Sequence, residues 1–113
     1  MTSPPRLIRS TAPPAAGIVH MGPGAFFRAF IAPYTDEAME AGSANGEDWG
    51  IIAVSLKSPA AREALVPQGC LYTALERGPD GDTLRQVEAI TDVLVAPEDP
   101  PAVLETMARP EIR

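Results

Sequence analysis

One cysteine, one histidine and one tryptophan in 113 residues remove several kinds of chemistry at the outset. A lone Cys70 excludes an intramolecular disulfide and fits a reducing cytoplasm, and no second cysteine supports a metal site. It reads as a small, half-buried thiol. The acids Glu76, Asp80, Asp82, Glu88, Asp92, Glu98 and Asp99 lack metal-ligand spacing and read as hairpin solubility and helix capping. No apolar run is long enough to cross a membrane, and Met1-Thr2-Ser3-Pro4-Pro5-Arg6 lacks the apolar stretch of a signal peptide. A basic face is missing too. The net charge of -6 and pI near 4.6 argue against a nucleic-acid partner, though not against a nucleotide held at one helix end. Aromatic residues make up only 5%, so aliphatic side chains and alanine must fill the core.

Proline is abundant, at 13 residues. The pairs Pro4-Pro5, Pro13-Pro14 and Pro100-Pro101 and the single prolines fall at element boundaries, which reads as punctuation rather than a polyproline segment. Residues 1–16 read as a flexible lead-in, and 17–113 as the folded part.

The most informative stretch begins with Gly17-Ile18-Val19-His20-Met21, a short apolar run with the form of a strand buried on both faces. It runs into Gly22-Pro23-Gly24-Ala25-Phe26-Phe27-Arg28 and then a helical pattern. Glycine permits a sharp turn and close approach of backbone to a ligand. A helix start presents unpaired N–H groups and a positive dipole end, which suits a phosphate. Phe27 stands where the usual dinucleotide fingerprint has its third glycine. On spacing alone, an unliganded turn and a nucleotide cradle stay equally open.

Downstream, Phe27, Phe30, Ile31, Tyr34, Ala38 and Ala41 recur at helical spacing and read as a core stripe, with Pro33 kinking or splitting the helix. Gly42-Ser43-Ala44-Asn45-Gly46 ends it. Phe26 is expected to pack the helix start against the sheet. Trp49 reads as an anchor at the entrance of a second buried strand, Trp49 to Leu56, which completes a parallel βαβ unit. Ser58 caps a short helix opened by Pro59 and stopped by Pro67. Leu71 to Arg77 and Thr83 to Ala96 read as two strands of a hairpin joined by Gly78-Pro79-Asp80-Gly81-Asp82. A last helix is capped by Asp99, starts at Pro100, and carries Val103, Leu104 and Met107 on one side. The fold class is α/β, a partial Rossmann-like dinucleotide-binding domain: a βαβ unit, then a β-hairpin and a helix. A doubly wound domain needs more strands, so the expectation is the first half of such a domain, with an open sheet edge that favours self-association.

The stretch from Gly17 to Ala29 resembles the N-terminal signature of the mannitol dehydrogenase family, which includes fructuronate reductases and other polyol dehydrogenases. The resemblance continues through Tyr34-Thr35-Asp36, Asp48-Trp49-Gly50-Ile51, Ser55-Leu56-Lys57-Ser58, Leu71-Tyr72-Thr73 and Met107-Ala108-Arg109-Pro110. It implies a long-chain, NAD(P)-dependent oxidoreductase with a Rossmann-like N-terminal domain and a mostly helical C-terminal one. Hydride then passes between the nicotinamide and a secondary alcohol or ketone of an open-chain polyol or sugar acid. The family's catalytic lysine and its neighbours belong to the C-terminal domain, so no residue here, His20 included, is assigned a catalytic or metal role. The chain alone is expected to be inactive; a truncated, non-enzymatic binding module is the alternative.

The cofactor contacts expected are Gly22, Pro23, Gly24, Ala25 and Phe26 cradling the pyrophosphate, Arg28 either reaching it or pairing on the surface, and Lys57 and Ser58 at the end of the second strand. The resemblance implies NAD as the cofactor, with NADP open. Two departures stand out. The family's Phe-His-Arg-Ala-His pattern is replaced by one carrying Phe27 and Phe30, and the acid common near Pro59 or Ala60 is missing. Lys57, Ser58 and Arg62 read either as tolerant of a 2′-phosphate or, for the two cations, as solvated surface charges.

Overall fold

A computed structural model describes residues 7–9, 12–41 and 49–112, without the side chains of Ala41 and Glu76. The glycine-rich segment from Gly42 to Gly46, read as a helix terminator, lies outside the described residues, as do residues 1–6, 10 and 11 of the lead-in.

Three strands form a parallel sheet in the order β1-β2-β5: β1 (Ala16–Met21), β2 (Gly50–Ser55) and β5 (Ile90–Val95). The continuous apolar run of β2 is explained by its place between two strands, where every residue is buried. Gly50 starts it for a steric reason. A Cβ there would lie 2.8 Å from the carbonyl oxygens of Pro14 and Ala15 and from Thr91 Cγ2. Its N–H donates to the same Ala15 oxygen at 2.9 Å.

The remaining strands, β3 (Tyr72–Gly78) and β4 (Gly81–Val87), form an antiparallel hairpin turning on Pro79-Asp80 between the paired Gly78 and Gly81. The hairpin's second half, read from sequence as one strand from Thr83 to Ala96, is two strands. Between them Glu88 N–H leaves the ladder and donates to Asp36 Oδ2 at 3.2 Å, and Ala89 O accepts from Ile51 N–H at 2.8 Å. The chain therefore crosses from the hairpin into the parallel sheet. Adjacent buried residues Ala89 and Ile90 mark the break, because a period of two cannot bury both.

The helical run after β1 differs from expectation in its buried face. A π turn, Phe27–Ile31, leads into α1 (Ala32–Ala41), and Ala32 N–H reaches back five residues to Phe27 O. Pro33 thus neither splits nor ends the run; the wider turn just before it absorbs the missing amide. The register shifts with it. Phe27, Ala32, Pro33 and Asp36 face inward, whereas Phe30, Ile31, Tyr34 and Ala38 of the expected core stripe are exposed. Phe26 does not pack on the sheet either, being 69% exposed. Phe27 does so in its place, stacked on His20 of β1 with ring centroids 4.1 Å apart.

The short helix α2 (Ala60–Leu65) runs into a 3-10 turn and closes with Gly69 at φ +66°. Cys70 N–H bonds Leu65 O and Gly69 N–H bonds Val66 O, at 2.9 and 3.0 Å, the paired bonds of a Schellman terminator. Cys70 follows in the left-handed region at φ +62° and is buried beside Leu65 in the core cluster. Burial pushes its thiol up to about 11. Helix α3 (Pro100–Met107) is capped as the sequence implies, Asp99 Oδ1 accepting from Ala102 N–H at 3.2 Å. Its buried side is Val103 and Thr106; Leu104 and Met107 are exposed, contrary to the expected apolar side.

Arg9 lies within the stretch read as a lead-in and is tied down. Its guanidinium donates to the carbonyl oxygens of Gly69, Glu88 and Ile90, the shortest contact being 2.8 Å to Gly69. Among the described residues, no helix is long and apolar enough to cross a membrane, and no His, Cys, Asp and Glu cluster is suited to a metal.

Candidate functional site

Because the sheet is parallel, the carboxyl ends of β1, β2 and β5 share one edge, which is where open α/β sheets receive ligands. Three loops meet there: Gly22–Gly24 after β1, Leu56–Pro59 after β2, and Ala96–Asp99 after β5. A groove of about 510 Å³ opens between the first two, walled by Leu56 and by Ala60, Ala61 and Ala64 of α2. Its polar groups come from Arg28, Ser55, Lys57 and Ser58.

Gly22 adopts φ +92°, a conformation L side chains rarely adopt. Its N–H is used by the sheet, donating to Val54 O at 2.8 Å, and Pro23 has no N–H to give. The helix's first internal bond runs from Arg28 N–H to Gly24 O at 3.0 Å. The amides of Ala25, Phe26 and Phe27 therefore precede the helical ladder and sit at its positive end. A Cβ added at Gly22 or Gly24 would meet nothing within 4 Å, so the bend opens onto free space. A diphosphate fits this arrangement: backbone donors, a dipole end and no side chain in the way.

The far side of the groove is held by a compact loop. Ser55 Oγ donates to Ser58 O at 2.5 Å, and Ser58 Oγ accepts from Ala60 N–H at 3.2 Å. Ser58 is nevertheless not the N-cap the sequence suggested, because α2 starts at Ala60 and Pro59, which has no capping side chain, takes that position. Lys57 is exposed at the mouth. Arg62 is engaged elsewhere: its guanidinium forks onto both carboxylate oxygens of Glu98, at 2.6 and 3.0 Å. That hydrogen bonding raises the Arg62 pKa and holds Glu98 below its ordinary value. The reading of Arg62 as a merely solvated cation is thereby replaced.

Of the eight residues proposed as contacts, Gly22, Pro23, Gly24, Arg28, Lys57 and Ser58 line this one groove. Ala25 instead lines a neighbouring cavity of about 240 Å³ with Arg28 and Tyr72, and the Phe26 side chain points to solvent. The sequence reading missed Ser55 and the alanines Ala61 and Ala64; small residues one helical turn apart on α2 were the available sign. It also gave no role to Asp36, whose buried carboxylate accepts from Glu88 N–H and from Arg85 Nη2 at 3.2 and 3.5 Å. Burial raises its pKa, with the Glu88 amide and Arg85 opposing.

Residues 16–113 match the family described as the mannitol dehydrogenase Rossmann domain. Mannitol 2-dehydrogenase of Pyrenophora tritici-repentis is 46% identical over 97 residues, covering 84% of this chain and 17% of that protein. The Polyol:NADP oxidoreductase of Gluconobacter oxydans is 41% identical over 102 residues, covering 86% and 20%. Pseudomonas fluorescens mannitol 2-dehydrogenase, solved as a ternary complex with NAD and D-mannitol, superposes with a TM-score of 0.73 at 37% identity, covering 87% and 20%. The chain spans about a fifth of the length of these relatives. With its parallel sheet, glycine bend and groove in the places that fold requires, the chain belongs to the mannitol dehydrogenase family, and what it spans is part of that family's Rossmann domain.

Proposed function

We propose that the groove at the carboxyl edge of the sheet binds NAD, as the cofactor-binding portion of a polyol oxidoreductase. One observation carries this reading. The amides of Ala25, Phe26 and Phe27 precede the helical ladder next to a bend where Gly22 and Gly24 leave open space. The pyrophosphate would lie over that bend, with Arg28 beside it and Lys57 and Ser58 at the adenosine ribose. NAD, when bound, supplies the hydride chemistry, and this chain's residues hold and orient it. The substrate is a secondary alcohol or ketone of an open-chain polyol, by likeness to the relatives named above; a sugar acid of the fructuronate kind belongs to the same class. A reducing cytoplasm suits the lone buried thiol.

NADP is the second reading, favoured by the exposed Lys57 and by the lack of any acid from Leu56 to Arg62. Calorimetric titration with NAD and NADP tests both, alongside Gly24→Val. A Cβ at Gly24 meets no protein atom within 4 Å, so folding is expected to be retained, as checked by urea melts of the variant, while dinucleotide affinity falls at least about tenfold. Binding by the valine variant as tight as by the parent would overturn the proposal.

A further inference from the structure

The Arg62–Glu98 pair lies next to the groove, and neither side chain is among the residues that line it. Ala60 and Ala61 line the groove immediately before Arg62, and Glu98 belongs to the loop after β5 at the same sheet edge. An arginine offers a rigid fork of five donors that suits a carboxylate or a phosphate equally. Here two of those donors are committed to one carboxylate. A ribose hydroxyl carries no charge with which to compete for them, whereas a ribose 2′-phosphate does. Both side chains are partly exposed, at 34% and 49%, so exchanging the carboxylate for a phosphate costs little desolvation.

We infer that Glu98 is a specificity-determining residue that biases the groove toward the unphosphorylated ribose by occupying Arg62. This rests on the dinucleotide reading above. Glu98 is then a positioning residue that acts only through Arg62. Lys57 supplies a standing positive charge to the ribose end, and Arg62 supplies a conditional one.

The test is calorimetric titration of the parent chain, Glu98→Gln, Arg62→Gln and the double variant with NAD and NADP at one fixed ionic strength. Glu98→Gln is expected to tighten NADP about three- to tenfold, the range for one charge-assisted contact at an exposed site, and to leave NAD within about twofold. The gain should vanish in the double variant, which a general loss of negative charge or of stability would not produce. An unchanged NADP affinity in Glu98→Gln overturns the inference, as does an equal gain for both dinucleotides or a gain that survives Arg62→Gln. If the parent chain binds neither dinucleotide, the groove assignment itself falls and takes this inference with it.

Discussion

The hydroxyl of Tyr72 donates to the carbonyl oxygen of Arg28 at 2.7 Å. That carbonyl needs a partner because of Pro33. In the π turn, Ala32 N–H goes to Phe27 O, and the next amide in the series would be that of Pro33, which has none. A side chain from the hairpin thus satisfies a backbone group that the helix cannot, and joins the two layers where the groove's helix begins. Burial raises the Tyr72 pKa well above its usual value, so the phenol stays a donor across the physiological range.

Tyr72→Phe is expected to destabilise the fold by about 0.5–1.5 kcal/mol, the net worth of one hydrogen bond to a solvent-accessible carbonyl. In a Pro33→Ala background the helix regains an amide, and the penalty should shrink. Urea melts of the four variants measure that coupling. A penalty independent of residue 33 would refute the link.

Gly50→Ala should be among the most damaging single-methyl changes. Two of the three atoms it strikes, at 2.8 Å, are backbone oxygens that cannot rotate aside. A loss of about 3 kcal/mol is expected, at the upper end for overpacking. Gly78→Ala is the comparison, since its nearest neighbour would be 3.6 Å away. Chemical denaturation of both ranks them directly.

Asp36 gives a pH signature. Its folded pKa lies above the unfolded value of 3.8, so the folded state holds that proton more tightly. The native form gains stability from Asp36 as pH falls through the folded pKa toward 3.8, and loses it as pH rises back. Asp36→Asn cannot titrate. The stability difference between parent and variant should therefore move in the parent's favour on going from pH 7 to pH 4, by urea midpoint. A difference constant with pH would contradict the shift.

Cys70, with a thiol pKa near 11 and 3% exposure, has almost no thiolate at pH 8. Ellman's reagent should therefore modify it only as the chain unfolds, at a rate rising with urea. Prompt labelling of the native protein would show the burial to be wrong.

The parts legible in the sequence share a physical origin. β1, β2 and the glycine bend are local: a continuous apolar run, then residues chosen for backbone freedom. Asp99 is likewise a local cap, whereas the cap expected at Ser58 is displaced by one residue to Pro59. The buried face of the helix was not legible, because stripe counting assumes 3.6 residues per turn throughout. A buried spacing of five, from Phe27 to Ala32, belongs to the π turn that accompanies Pro33. The crossing from β4 to β5 was hidden for a different reason. No glycine or proline marks it, and the Glu88 amide finds its partner on Asp36, 52 residues away. The groove's glycines and Lys57 could be named in advance, whereas the engagement of Arg62 by Glu98 depends on bringing the ends of two helical turns together.

Arg9 has a practical corollary. Cloning from Ala16, where the parallel sheet starts, would discard the guanidinium that links the oxygens of Gly69, Glu88 and Ile90. Those three atoms flank the Schellman turn and the crossing into the third parallel strand, so one side chain from ahead of the sheet clasps both. A start upstream of the first strand therefore keeps this clasp.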